Sequence, residues 1–119
     1  MTDGMPEASS TQAPIPGQLI VERAREADAV VMILAGELDL ASAPTLEREL
    51  REAEATRPAR LVIDLAGLAF MDSTGLQALL RARERANADD HRLSLRHAVH
   101  QVRRVFELTK TTNAFTFED

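Results

Sequence analysis

Apolar and polar residues along this chain follow two different periods. The run Ala29–Ala35 is apolar throughout, and Leu61–Leu65 is mostly apolar and contains two β-branched residues. Both runs are typical of strands that are buried on two faces. Leucine alternates with polar residues over Arg92–His97, which predicts a strand with one face inward. Weaker strand patterns occupy Leu19–Arg23 and Ala114–Phe117.

Three other segments repeat apolar residues at the spacing of a helix. The first begins near Ser42, a residue type that caps helix N-termini, tolerates Pro44 in its first turn and ends before Pro58. Its predicted buried residues are Leu46, Leu50 and Ala53. The second helix is predicted over Thr74–Asn87 and the third over Val99–Leu108.

Charged side chains mark the exposed faces of the first two predicted helices. Glu47 and Arg51 lie four residues apart, which predicts an ion pair on the solvent side. Arg81, Arg83 and Arg85 would make the exposed side of the second helix basic. This basic side is either a solvated face or the flank of a partner-binding surface.

The predicted elements follow the order β-β-α-β-α-β-α-β, which indicates an α/β fold. We expect a mostly parallel sheet of four or five strands, with the first strand antiparallel, covered by helices on right-handed crossovers. Gly36–Asp39 and Asp72–Gly75 are predicted as loops that leave the second and third strands. Because sites in such folds form at the carboxyl ends of strands, these loops should meet if their strands are parallel neighbours.

Composition narrows the class of protein. The chain has 119 residues without a repeat and is 45% hydrophobic, which predicts one domain with an aliphatic core. We assign residues 18–119 to this domain and residues 1–17, which are polar and proline-containing, to a disordered N-terminal tail. A formal net charge of −5 argues against direct nucleic-acid binding.

Membrane and metal sites are not expected. The longest apolar run is far shorter than the roughly 20 residues of a spanning helix, and the first residues do not resemble a signal peptide. The chain has no cysteine, and His91, His97 and His100 lack the spacing of metal ligands. We therefore expect a cytoplasmic protein without a cofactor.

The segment Asp72–Gly75 joins a buried strand to the second predicted helix. Asp, Ser and Thr side chains accept the unpaired N–H groups at helix N-termini, so this string alone is commonly only a cap and a turn. A hydroxyl here also lies near the surface at the positive end of a helix dipole. That position suits the addition and removal of a phosphate.

The residues around Asp72–Gly75 form a longer string that resembles a known sequence signature. Phe70-Met-Asp-Ser-Thr-Gly-Leu76, after the strand Leu61-Val-Ile-Asp-Leu65, resembles the phosphorylation-site signature of the STAS family. In particular it resembles the stand-alone anti-sigma factor antagonists of bacteria. Gly36-Glu-Leu-Asp39 is a second match to the family pattern. The resemblance spans roughly Leu19 to the C-terminus and departs at Thr109–Asn113, where the family has a glycine-containing turn.

The resemblance implies a mechanism of partner switching. The unphosphorylated antagonist binds an anti-sigma factor that is also an ATP-using serine kinase, and a sigma factor is released. The kinase then phosphorylates the antagonist, and a metal-dependent serine phosphatase resets it. The modified serine is the first after the aspartate, here Ser73, with Thr74 as the lesser candidate. The implied partner-binding residues are Glu37, Asp39, Asp72, Ser73, Thr74 and Gly75.

Three other functions remain open from the sequence. An enzyme with Ser73 as its nucleophile would need a base and an oxyanion hole, but no Gly-x-Ser-x-Gly string is present, so we expect no catalytic residue. A STAS module could instead make protein contacts in a stress-signalling scaffold or a lipid-transport complex. Nucleotide binding by the domain should be weak because no phosphate-binding glycine loop is present.

Overall fold

A computed structural model of the protein describes residues 18–118. The predicted N-terminal tail, residues 1–17, lies outside the described residues. The elements are β1 (Leu19–Glu26), β2 (Ala29–Leu38), α1 (Ala43–Ala55), β3 (Arg60–Met71), α2 (Ser73–Ala88), β4 (Arg92–Arg96), α3 (His100–Leu108) and β5 (Thr116–Glu118), with a short 3₁₀ turn at Thr112–Ala114 before β5. Their order is the one predicted from the sequence.

The five strands form one sheet in the order β1-β2-β3-β4-β5. β1 pairs with β2 in the antiparallel sense, and the remaining neighbours pair in parallel. The predicted α/β class, the mostly parallel sheet and the antiparallel first strand are therefore confirmed. Within residues 18–118, no helix combines the length and the apolar character that crossing a bilayer requires.

Residues Gly36–Leu38 were predicted as part of a loop but are strand, so that prediction was wrong, and β3 is longer than the predicted strand Leu61–Leu65. β2 continues through Gly36 to Leu38, and β3 continues past Leu65 and Gly67 to Met71. The pairing of the two strands explains the extension, because Leu38 lies opposite Met71 and both side chains are buried. Register shifts interrupt this ladder near Gly36, whose φ of 115° is one that glycine adopts without strain.

The main core lies between the helices and one face of the sheet. The predicted buried stripe of α1 is confirmed, since Leu46, Leu50 and Ala53 are all fully buried. Aliphatic side chains from β2, β3 and α2 complete this core. Phe106 of α3 is also fully buried, and the rings of Phe115 and Phe117 meet it edge-on at 5.4 and 5.3 Å. The predicted aliphatic core is thus closed at one end by aromatic contacts.

Ion pairs join α1 to α2 across the protein surface. Glu47 pairs with Arg81 at 2.7 Å rather than with Arg51, so the predicted pair within α1 was wrong. Arg85 donates two hydrogen bonds to Glu54, and these bonds raise the pKa of Arg85. The two helices pack side by side, which brings these side chains together. Arg81 and Arg85 therefore serve mainly to bind α2 to α1.

The second face of the sheet carries a charged cluster around Asp64. The Asp64 carboxylate accepts from Arg96 at 3.0 Å and from the Ala66 N–H at 2.9 Å, and Arg96 also reaches Glu26. Burial acts to raise the pKa of Asp64, but the Ala66 N–H and Arg96 outweigh it and the pKa is lowered. His97 was predicted to continue β4 but instead has a φ of 63°, which ends the strand and leaves its ring 3.2 Å from Asp64.

The lowered pKa of Asp64 generates a prediction about stability and pH. A carboxylate whose pKa falls on folding stabilises the protein above the ordinary Asp pKa of about 3.9, and this contribution is lost as pH falls through the folded-state pKa. Asp64→Asn should lower the free energy of unfolding by about 1–3 kcal/mol at pH 7, and the difference should shrink below about pH 4. Urea denaturation between pH 3 and pH 7 measures the loss of stability at pH 7 and its decrease at low pH.

The control for this measurement is Glu84→Gln. Glu84 is an exposed carboxylate on α2 that makes no ion pair within residues 18–118. Its replacement should change stability by less than about 0.5 kcal/mol at any of these pH values. A loss in Asp64→Asn that stayed constant from pH 7 to pH 3 would contradict the assigned role of the Asp64 charge.

Candidate functional site

The carboxyl ends of β2 and β3 lie side by side. Glu37 is paired with Phe70 and Leu38 with Met71 in the parallel ladder. Directly after this ladder, the Asp72 N–H donates to the Leu38 carbonyl at 3.1 Å. The expected meeting of the Gly-Glu-Leu-Asp and Asp-Ser-Thr-Gly segments at one edge of the sheet is confirmed, with the first segment forming the end of β2 and the second the start of α2.

Asp72 is the N-cap of α2. Its backbone is extended, and its carboxylate accepts the Gly75 N–H at 3.1 Å, while its carbonyl accepts the Leu76 N–H at 3.0 Å. This arrangement satisfies one of the N–H groups that a helix start leaves without an intrahelical acceptor. Asp72 therefore sets the position at which α2 begins, directly beside the end of β2.

Gly75 allows α2 to start this close to β2. A Cβ atom on Gly75 would lie 2.5 Å from Leu38 Cγ and 2.9 Å from the Leu38 carbonyl oxygen. Both distances are shorter than a side-chain carbon can tolerate. The glycine is therefore required by packing within the domain, whatever contact it also makes with a partner.

Ser73 is the first residue of α2, and it is exposed. Its hydroxyl has no hydrogen-bond partner within residues 18–118. No histidine or carboxylate of these residues hydrogen-bonds to it. What the position does offer is an unpaired hydroxyl at the positive end of a helix of 16 residues.

Thr74 is less accessible than Ser73. It is partly buried and lines a shallow surface groove of about 430 Å³ between the starts of α1 and α2. The other residues that line this groove are Leu40, Ala43, Pro44, Glu47 and Arg81. Of the two adjacent hydroxyls, Ser73 therefore presents the better target to a modifying enzyme.

Asp39 is committed to the turn that begins α1. Its carboxylate accepts the Ser42 N–H at 3.1 Å. Ser42 is the N-cap residue of α1, as predicted, but its side chain makes no cap hydrogen bond. Its buried hydroxyl instead donates to the Glu37 carbonyl at 2.7 Å and accepts the Asp39 N–H at 3.0 Å. These bonds close a tight turn and hold Asp39 beside the end of β2.

Two large apolar side chains next to this edge were not singled out from the sequence. Leu40 is 74% exposed and follows β2, while Phe70 is 47% exposed and lies in the ladder beside Glu37. Leu40 could have been identified from the sequence, because it is a large apolar residue between a strand and a helix and fits the apolar spacing of neither. Leu40 and Phe70 both lie at the end of the paired strands β2 and β3, and we call the two residues the Leu40–Phe70 surface.

Comparison with known proteins agrees with this geometry. Residues 21–113 match a family model described as "Mlab, STAS domain". The chain is similar to the anti-sigma-F factor antagonist RsfB of Mycobacterium tuberculosis (strain CDC 1551 / Oshkosh), at 36% identity over 70 residues. That alignment covers 59% of this chain and 57% of RsfB, so it spans little more than half of the relative's length.

Solved structures show the same fold. The crystal structure of an anti-sigma factor antagonist from Mycobacterium paratuberculosis superposes with a TM-score of 0.79 at 26% identity, and the match covers 87% of each chain. Unphosphorylated SpoIIAA superposes with a TM-score of 0.70 at 22% identity, over 84% of this chain and 89% of its own. Phosphorylated SpoIIAA of Bacillus superposes with a TM-score of 0.64 at 20% identity, and the match covers 84% of this chain and 92% of SpoIIAA.

The close approach at Gly75 predicts an unusual response to alanine. Alanine favours a helix over glycine by about 1 kcal/mol, but the clash with Leu38 should cost more. Gly75→Ala should therefore lower the free energy of unfolding by about 1–2 kcal/mol, as measured in urea. Gln77→Ala, at an exposed position of α2, is the control and should stay within about 0.5 kcal/mol of the parent. An unchanged or more stable Gly75→Ala protein would show that the clash relaxes freely.

Proposed function

This chain belongs to the STAS domain family, and from that premise we propose that it is an anti-sigma factor antagonist controlled by phosphorylation of Ser73. In the unphosphorylated form it binds an anti-sigma factor serine kinase through the carboxyl edge of β2 and β3, and a sigma factor is released. The kinase uses ATP to phosphorylate Ser73, and a metal-dependent serine phosphatase restores the active form. The chain itself catalyses nothing in this scheme.

The observation that carries the proposal is the exposed and unpaired Ser73 hydroxyl at the start of α2. A kinase can reach such a hydroxyl without unfolding the domain, and no internal hydrogen bond has to break. Asp72 is held by the Gly75 N–H and the Leu38 carbonyl, so the backbone on both sides of Ser73 is fixed. The similarity to proteins named as anti-sigma factor antagonists supports the same role.

A phosphate on Ser73 would act on the partner more than on the domain. Phosphorylation adds a charge of about −1.5 to −2 at pH 7. The N-terminus of α2 would stabilise this charge by about 0.3–1 kcal/mol, and Asp72 would oppose it, so the fold survives. At a close interface the same charge costs on the order of several kcal/mol through desolvation and repulsion, which is enough to dissociate a micromolar complex.

The Leu40–Phe70 surface gives the partner an apolar contact next to the switch. Exposed apolar side chains grouped beside polar ones are typical of protein-interaction sites. Phe70 lies in the last paired residues of β3 and Leu40 follows the end of β2, at the same edge from which α2 begins with Ser73. A phosphate added to Ser73 by the bound kinase would therefore lie close to this contact and weaken it.

Phosphorylation should occur on Ser73. We expect one phosphate on this residue when the protein is incubated with ATP and an anti-sigma kinase from the same genome, and none on Ser73→Ala, as mapped by tandem mass spectrometry. A phosphate on Thr74 would keep the mechanism and move the site. No phosphate with several such kinases would overturn the proposal in favour of a constitutive STAS interaction module.

The binding of variants tests the switch itself. Ser73→Ala should remain folded and bind the anti-sigma factor kinase with unchanged affinity, because the Ser73 hydroxyl makes no hydrogen bond within the domain. Ser73→Asp should bind at least about tenfold more weakly, since a charge is placed at the interface. Titration calorimetry measures both affinities. Equal binding by Ser73→Asp would contradict the electrostatic account, and loss of binding by Ser73→Ala would contradict the switch.

The apolar contact generates a separate prediction. Leu40→Ser and Phe70→Ser should each weaken binding to the anti-sigma kinase by about tenfold or more, because truncation of a buried interface anchor has this order of effect. Leu108→Ser is the matched control, since Leu108 is 71% exposed but lies on α3. Circular dichroism should show all three folded. Equal affinity of Leu40→Ser, Phe70→Ser and Leu108→Ser would remove this surface from the interface.

A further inference from the structure

A second cavity lies at the end of α2 opposite Ser73. β5 begins to pair with β4 only where Thr116 meets Ser94, so the first two residues of β4 have no strand on that side. A cavity of about 300 Å³ opens between this uncovered edge and the last turns of α2. Because the lining residues Arg83 to Asn87 follow Ser73 by 10 to 14 residues of α2, this cavity is about 15–21 Å along the helix axis from Ser73.

The cavity is lined by cationic groups in a chain whose formal net charge is −5. Arg83 is partly buried and makes no ion pair within residues 18–118. Arg92 is 3.9 Å from Asp28 and keeps most of its side chain exposed. Arg60, by contrast, is paired with Glu118 at 2.9 Å, which neutralises the one carboxylate in the cavity wall. Two arginines are therefore available to an anion.

Hydrogen-bond donors and acceptors without partners lie beside these arginines. The Nε2 atom of His91 is buried and has no hydrogen-bond partner among the described residues, although His91 lines the cavity. Asn87 of α2 lines the same wall, four residues after Arg83 and so on the same face of the helix. Because the Nε2 atom is shielded from solvent, the exposed amide of Asn87 rather than this nitrogen is open to a bound polar group.

The remaining wall is apolar. Leu93, Ala86, Ala114 and Phe115 face the cavity, and Phe115 is held in place by its edge-on contact with Phe106. A fixed aromatic side chain offers a surface against which a planar or apolar group packs. The volume is at the lower end of the range for ligand pockets, which restricts the ligand to a small molecule.

We propose that this cavity binds a small organic phosphate monoester, with its phosphate on Arg83 and Arg92 and its apolar group against Phe115. A phosphate monoester carries about −1.5 to −2 charges at pH 7 and matches the charges of the unpaired Arg83 and of Arg92, whose pair with Asp28 is long and exposed, whereas a carboxylate carries a single charge. The guanidinium fork fits phosphate oxygens in pairs. This site is independent of the role proposed for Ser73.

Titration calorimetry with four probes tests separately whether the cavity recognises the phosphate and whether it recognises the apolar group. Phenyl phosphate carries the dianion and a ring, inorganic phosphate lacks the ring, phenol lacks the charge, and benzoate has the ring with a single charge. We expect phenyl phosphate to bind at least about tenfold more tightly than each of the other three at 0.15 M salt. Absence of phenyl phosphate binding at millimolar concentration, or equal affinity for inorganic phosphate, overturns the proposal.

Variants locate the site. Arg83→Gln and Arg92→Gln should each weaken phenyl phosphate binding about tenfold or more, because each loses a charge-assisted contact. Arg104→Gln is the matched control, since Arg104 is exposed on α3 and does not line the cavity. Ser73→Ala should bind phenyl phosphate like the parent, which separates this test from the switch. Unchanged affinity in both Arg83→Gln and Arg92→Gln would place the ligand elsewhere and overturn the proposal.

Discussion

The contact between the ends of β2 and β3 is the constraint on which the functional edge depends. The Asp72 N–H donates to the Leu38 carbonyl, and α2 starts so close to Leu38 that only glycine fits at position 75. Because Asp72 caps α2 from this fixed point, Ser73 is placed at the surface with its backbone held on both sides. The position of one hydroxyl thus follows from strand pairing, a cap and a close approach.

A rigid site suits a switch that works through charge. Within residues 18–118 the Ser73 hydroxyl makes no hydrogen bond that a phosphate would have to break, and the N-terminus of α2 would stabilise the added charge. The ion pairs of Glu47 and Glu54 with Arg81 and Arg85 hold α2 against α1 along its length. In the proposed switch, phosphorylation therefore acts at the interface with a partner rather than within the fold.

Several charged groups near the edge are used for structure as well as for any contact with a partner. Asp39 is bound to the turn before α1, and Asp72 is bound to the Gly75 N–H, so neither carboxylate is an idle surface charge. The exposed apolar pair Leu40 and Phe70 is a different kind of group, because its burial would be gained only on association. A partner would thus contact carboxylates that are already fixed in position, together with exposed apolar side chains.

Hydrophobic period alone determined the order of elements and the α/β class, because buried faces must repeat at the spacing of their element. It also predicted the second helix, but from Thr74 rather than from the observed start at Ser73. The signature around Asp72 identified the family before any coordinates. Tertiary structure decided the rest. β2 and β3 run past Gly36 and Gly67 because each supplies the other's hydrogen bonds, and Glu47 pairs with Arg81 because α2 lies alongside α1. The exposure of Leu40 and the charged cavity beyond Arg83 likewise depend on neighbours distant in the chain, which local sequence does not specify.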